Sequence, residues 1–194
     1  RLGTNPICIC VPSNEDGPVF IDMASSAVAA NKLAVYRRRN EPVPEGWIID
    51  KDGNPTTDPN AYAEGGALLP VGGDLGYKGF GLSFMGEIFS GIMTTLGFGL
   101  DPDAKHNDGS FIAAWRIDAF SDLEWFKQQV SDFIKFVKSS PLSAGSKGIW
   151  YPGEMEKDME AKLRKDGIAV EDSVWKDITG LIEEYGIQSA VGTP

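Results

Sequence analysis

"VGGDLGYKGFGLSFMGEIFSGIM", residues 71–93, places five glycines within twelve positions around one lysine and then runs into an apolar stretch. Glycine frees the backbone where a turn is tight or a ligand must come close. A glycine-rich loop feeding a helix can hold a phosphate, because its amides and the helix dipole both point at the anion. The spacing fits neither the Walker A pattern nor G-x-G-x-x-G. Within Gly76-Tyr77-Lys78-Gly79-Phe80-Gly81, Lys78 is a candidate ligand for phosphate or carboxylate; the alternative is a surface lysine in a flexible loop. Leu82, Met85, Phe89 and Ile92 follow three- to four-residue spacing, which predicts a buried helix after Gly81. Gly86, Ser90 and Gly91 would let a neighbouring element approach it closely.

Upstream, "ICICVP" and "PVFIDMA" read as two short strands around the polar turn "SNEDG". Alternation puts Cys8 and Cys10 on one strand face and Ile7, Ile9 and Val11 on the other. A C-x-C pair can bind metal, but no second ligand cluster accompanies it, so buried structural thiols and no metal site are expected. A helix is predicted from Ser25 or Ser26 through "YRRRN", whose arginines suit a helix end, and "NEPVPEG" breaks it. "GWIIDKDGNPTTDPNAYAEGG" reads as a strand and a long polar loop.

Downstream, "SFIAAWRID" alternates like a strand. Ser121 and Glu124 form a capping box for a helix lined by Leu123, Phe126, Val130, Phe133 and Val137. "GIWYPGE" reads as a strand ending at a turn, followed by a polar helix over 154–166 and a short strand "GIAV". The last helix carries Trp175, Ile178, Leu181, Ile182 and Tyr185, and Gly186 stops it. Irregular alternation of strands and helices predicts an α/β or α+β fold with a mixed sheet and packed helices.

A formal charge of −10 disfavours nucleic acid or an anionic membrane as the main partner. No apolar run reaches the ~20 residues of a membrane span, and without a disulfide framework the reducing cytoplasm is the expected compartment. The chain opens on Arg1 and enters a strand at once, which reads as one lobe of a longer chain. Asp22 ends a strand, where α/β proteins place ligands and catalytic groups; it could also be a plain helix cap. Glu154 stands at a second strand-to-helix junction, where a first-turn acid complementing the dipole is the simpler reading. His106, the one histidine, lies in a polar loop without a triad pattern. The residues alone define an anion- or nucleotide-binding lobe.

Five blocks in order, "GTNPICICVP", "DMASSAVAANK", "PEGWIIDKDGNPTTDP", "LLPVGGDLGYKGFGLSFMGEIFSG" and "YPGEMEKDMEAKLRKDGI", resemble the malate/L-lactate dehydrogenase family. That family also holds sulfolactate, ureidoglycolate and diketogulonate oxidoreductases and cyclic imine reductases. The resemblance covers nearly the whole chain. It implies a non-Rossmann dinucleotide-binding fold and an NAD- or NADP-dependent oxidoreductase acting on a small 2-hydroxyacid or 2-oxoacid, working as a homodimer. By the same resemblance the cofactor contacts would come from Asp22, Met23, Ala24 and Ser25, from Lys78 and Gly79, and from Pro152, Gly153 and Glu154. Asp22 would also orient the catalytic histidine. That histidine, and a substrate-binding arginine, belong in the family to an N-terminal segment not found here. Residues 1–194 are thus expected to be the cofactor-binding and C-terminal portion of a longer chain. A different class stays open: a non-catalytic nucleotide-binding or dimerisation module.

Overall fold

The computed structural model describes residues 2–105 and 109–187. They divide into two compact units between Pro152 and Gly153.

The first unit begins with a hairpin of β1 (Ile7–Val11) and β2 (Val19–Met23), antiparallel with Cys8 opposite Asp22 and Cys10 opposite Phe20. Both thiols are exposed, against the expectation of buried ones. Two strands make a ribbon with two faces, and no third strand among the described residues pairs with it. Helix α1 runs over Ala30–Arg39, later than the sequence predicts. Ser25 and Ser26 cannot begin it, because the amides of Ser25 and Ala27 donate to Thr4 and Leu69 and hold that segment extended. Arg37–Arg39 fill the last turn and Asn40 closes it in the left-handed region, as "YRRRN" implies.

Next come β3 (Ile48–Ile49), β4 (Pro55–Thr56) and β5 (Ala67–Leu68), antiparallel in the order β4-β3-β5. The Asp50–Asn54 turn between β3 and β4 uses Gly53 at φ +87°, as Asp-Gly predicts. Against this sheet α1 packs the buried cluster Val28, Leu33, Val43 and Ile48, with Tyr36, Trp47 and Leu68 at its edge. Tyr36 and Trp47 meet edge to face at 5.5 Å.

A 3-10 turn, Gly73–Leu75, leads into α2 (Tyr77–Glu87), which widens into a π turn over Ile88–Ile92. Two expectations fail here. The helix starts before Lys78, not after Gly81, and its buried residues are Gly79, Ser83 and Glu87. Leu82, Met85, Phe89 and Ile92 face outward. The apolar period is present, but the close approach of the backbone at Gly79 turns the small and polar side inward. Close approach near Ser90 does occur: a Cβ on Gly109 would lie 1.9 Å from the Ser90 carbonyl oxygen.

Residues 111–116 are not a strand; they lead irregularly into a 3-10 turn at Ile117–Ala119, with Phe111, Ile112 and Trp115 exposed. Residues 148–151 and, in the second unit, 167–170 are likewise irregular. An alternating pattern makes a strand only where a partner supplies hydrogen bonds. Helix α3 (Leu123–Lys138) is capped by Asp122, whose carboxylate accepts from the Trp125 amide at 2.8 Å, one residue later than the predicted capping box. Its buried residues are Ser131 and Ile134, while Phe133 and Val137 stay exposed.

The second unit holds α4 (Glu154–Asp166) and α5 (Asp172–Glu184). Gly167 at φ +84° and Gly186 at φ +61° end them. Acidic Glu154 and Glu156 open α4, and Arg164 and Lys165 close it, matching the dipole at both ends.

Candidate functional site

The strand β5 continues as an extended segment to Val71. On one side the Leu69 amide donates to the Trp47 carbonyl at 2.9 Å. On the other, Ala27 N donates to Leu69 O at 2.7 Å and Val71 N donates to Ser25 O at 2.9 Å, around an antiparallel bridge between Ser26 and Pro70. The segment that follows β2 therefore lies along the segment that feeds the glycine loop. At Gly72 (φ +124°) the chain turns so tightly that a Cβ would sit 2.8 Å from the Leu75 carbonyl oxygen. Helix α2 then crosses back over Val71. A Cβ on Gly79 would lie 2.3 Å from the Val71 carbonyl oxygen and 2.7 Å from its nitrogen. Ser25 and Gly79 thus flank the same residue.

Ser25 is 1% exposed, and both its amide (2.9 Å) and its hydroxyl (3.0 Å) donate to the Thr4 carbonyl. The next residue, Asn5, reaches α2. Its Nδ2 donates to Ser83 O and Oγ at 3.1 Å each and to Glu87 Oε2 at 2.8 Å. The other Glu87 oxygen accepts from the Gly99 amide.

The start of α2 has unusual chemistry. Its N-cap is Gly76, no side chain caps it, and no acid stands in the first turn. Lys78 does stand there, exposed, with Nζ 6.0 Å from the Tyr77 ring centroid. A helix N-terminus carries partial positive charge and ordinarily favours acids. Adding a lysine concentrates positive charge, a match for a phosphate group. Open space at Gly73, where a Cβ would meet nothing within 4 Å, leaves room for one to approach.

Asp22 is exposed near the end of β2, and Met23 and Ala24 are half-buried between it and Ser25. Phe20, two residues before Asp22, donates its amide to the Pro152 carbonyl at 3.2 Å. The structure thus sets Ser25 and Gly79 on either side of Val71, and Pro152 beside Phe20 near the start of β2, within the first unit. Gly153 and Glu154 open the second unit, Gly153 as the N-cap of α4 at φ +95° and Glu154 in its first turn. His106 lies outside the described residues. The sequence reading missed Thr4, Asn5, Val71 and Glu87, which hold these segments together. Asn-Pro at 5–6 is a turn signal that could have flagged Asn5, which adopts φ +36°.

A sequence model of malate/L-lactate dehydrogenase matches residues 1–179. The chain is 39% identical over 193 residues to the malate/(S)-sulfolactate dehydrogenase of Methanothermus fervidus, covering 96% of this chain and 54% of that protein. It is 31% identical over 181 residues to the ureidoglycolate dehydrogenase (NAD(+)) of Escherichia coli, covering 90% and 50%. Among solved structures, malate dehydrogenase from Entamoeba histolytica superposes with a TM-score of 0.84 at 27% identity, covering 97% of this chain and 55% of that one. The chain spans about half the length of the curated relatives it matches. With the matched profile extending over most of its residues, the chain belongs to the malate/L-lactate dehydrogenase family.

Proposed function

We propose that this chain is the dinucleotide-holding part of an NAD(P)-dependent oxidoreductase acting on a small 2-hydroxyacid or 2-oxoacid of the malate or lactate kind. The observation that carries the reading is the shared packing of Ser25 and Gly79 on Val71, which sets the strand-end segment beside an uncapped, lysine-bearing helix start. These residues fit a dinucleotide: Lys78 and the first amides of α2 suit its phosphates, and the open backbone at Gly73 gives contact without steric cost; Ser25, buried on Thr4, holds the Asp22–Ala24 segment in place for it. Met23, Ala24 and Pro152 are assigned further contacts to the dinucleotide in this reading. A bound nicotinamide gives or takes the hydride at the substrate's C2.

Asp22, exposed at the strand end, is suited to hold an imidazole supplied by the rest of the protein, in the tautomer that exchanges a proton with the substrate oxygen. The same reading makes the protein a homodimer of the cytoplasm. Two exposed free thiols suit a reducing compartment, and the outward apolar side of α2 suits a covered surface. No helix among the described residues is long and apolar enough to cross a membrane.

The test is full-length protein with NADH or NADPH and pyruvate or oxaloacetate, followed at 340 nm. Turnover is expected, with Asp22→Asn lowering kcat on the order of 100-fold at little change in dinucleotide KM. Tight dinucleotide binding without turnover on any 2-oxoacid would favour a non-catalytic nucleotide-binding module. Absence of binding to either dinucleotide would sink both.

A further inference from the structure

The Thr4–Asn5 segment stands between the two parts of the site. Thr4 accepts both hydrogen bonds of Ser25, and Asn5 donates to Ser83 and Glu87 on the inward side of α2. Glu87 is 6% exposed, an uncommon place for a carboxylate in a short helix. It lies two turns along from Gly79 on the same inward stripe. Asn5 itself sits at φ +36°, a backbone setting that asparagine tolerates better than most residues. A buried carboxylate that accepts from a neighbouring segment fixes that segment in one place.

We infer that the Asn5–Glu87 pair is a positioning clamp for dinucleotide binding. Through Thr4 it sets the height of Ser25, and through α2 it sets Gly79 and Lys78, so the two halves of the site keep their spacing. Glu87 makes no contact with the cofactor in this assignment. The inference rests on reading Asp22–Ser25 and Lys78–Gly79 as one dinucleotide site.

The test uses full-length protein, with NADH and NADPH affinity measured by fluorescence titration and folding followed by thermal melts. Asn5→Gly suits the positive φ, so it removes the side chain with little backbone cost. Asn5→Gly and Glu87→Gln are each expected to weaken dinucleotide binding about tenfold, raising dinucleotide KM more than they lower kcat. General loss of packing would instead lower the melting temperature and kcat together, with no selective rise in dinucleotide KM. Wild-type affinity in folded Asn5→Gly overturns the clamp, as does wild-type affinity in folded Glu87→Gln. If wild-type protein binds neither dinucleotide, the site reading itself has failed, which is a separable result.

Discussion

The first unit holds two regions built on opposite plans. Around β3, α1 and the sheet β4-β3-β5, large apolar side chains point inward, and Ile48 has no exposed surface at all. Around α2, a glycine, a serine and a carboxylate point inward, while Tyr77, Phe80 and Phe84 face outward. Hydrophobic burial is strong but non-directional, so the first region supplies stability. Backbone contact at Gly79 and the Asn5–Glu87 hydrogen bonds are directional, so the second supplies position. The two regions meet at Ser25 and Val71.

The contrast breaks if mutations in the two regions have the same signature. Ile48→Ala should be the most damaging to folding, at about 3 kcal/mol in denaturant titration, from lost transfer energy plus a cavity. Its effect on dinucleotide affinity should be small wherever the protein stays folded. Gly79→Ala should cost about 2 kcal/mol, since the new Cβ meets Val71 backbone that cannot swing aside. Unlike Ile48→Ala, it should also weaken dinucleotide binding in titration of the folded fraction. Lys78→Ala should leave the melting temperature nearly unchanged, because the side chain is exposed. Its dinucleotide KM should rise about tenfold with kcat nearly constant, and an unchanged KM would remove Lys78 from the site.

The smallest effect sharpens the comparison from outside the site. Amide hydrogen bonds from Asn54 and Asp52 hold the Asp50 carboxyl below its ordinary range. A depressed folded pKa contributes stability above the unfolded value, near pH 4, that is lost as pH falls through the folded one. Asp50→Asn should therefore lag wild type at neutral pH and converge with it in acid, in urea titrations across that range.

What the sequence showed and hid follows the same division. Helices α3, α4 and α5 were legible as helices from their periods, but the cap of α3 at Asp122 and its inward side at Ser131 and Ile134 were not. Cys8 and Cys10 were legible as free thiols but not as exposed ones, since burial of a strand face depends on what covers it. The segments at 111–117, 148–151 and 167–170 carry strand-like residues, yet sequence alone cannot say whether a partner lies alongside. The helical state of Lys78 and Gly79 was hidden because glycine weakens a helix in isolation. At Gly79 that cost is offset by contact with Val71, which is itself held by Ser25, 46 residues upstream. Asp22 and Lys78 were singled out from the residues and Pro152 from the resemblance; the ties of Ser25 to Thr4 and Val71 have no local signature, and that of Asn5 to α2 has only the Asn-Pro turn signal.

The outward dressing of α2 bears on how this polypeptide behaves when produced by itself. Phenyl and phenol rings left wet on one side of a helix attract one another and holdase chaperones alike. These 194 residues should scatter light increasingly with concentration, and a mild non-ionic detergent should clear the solution without unfolding α1.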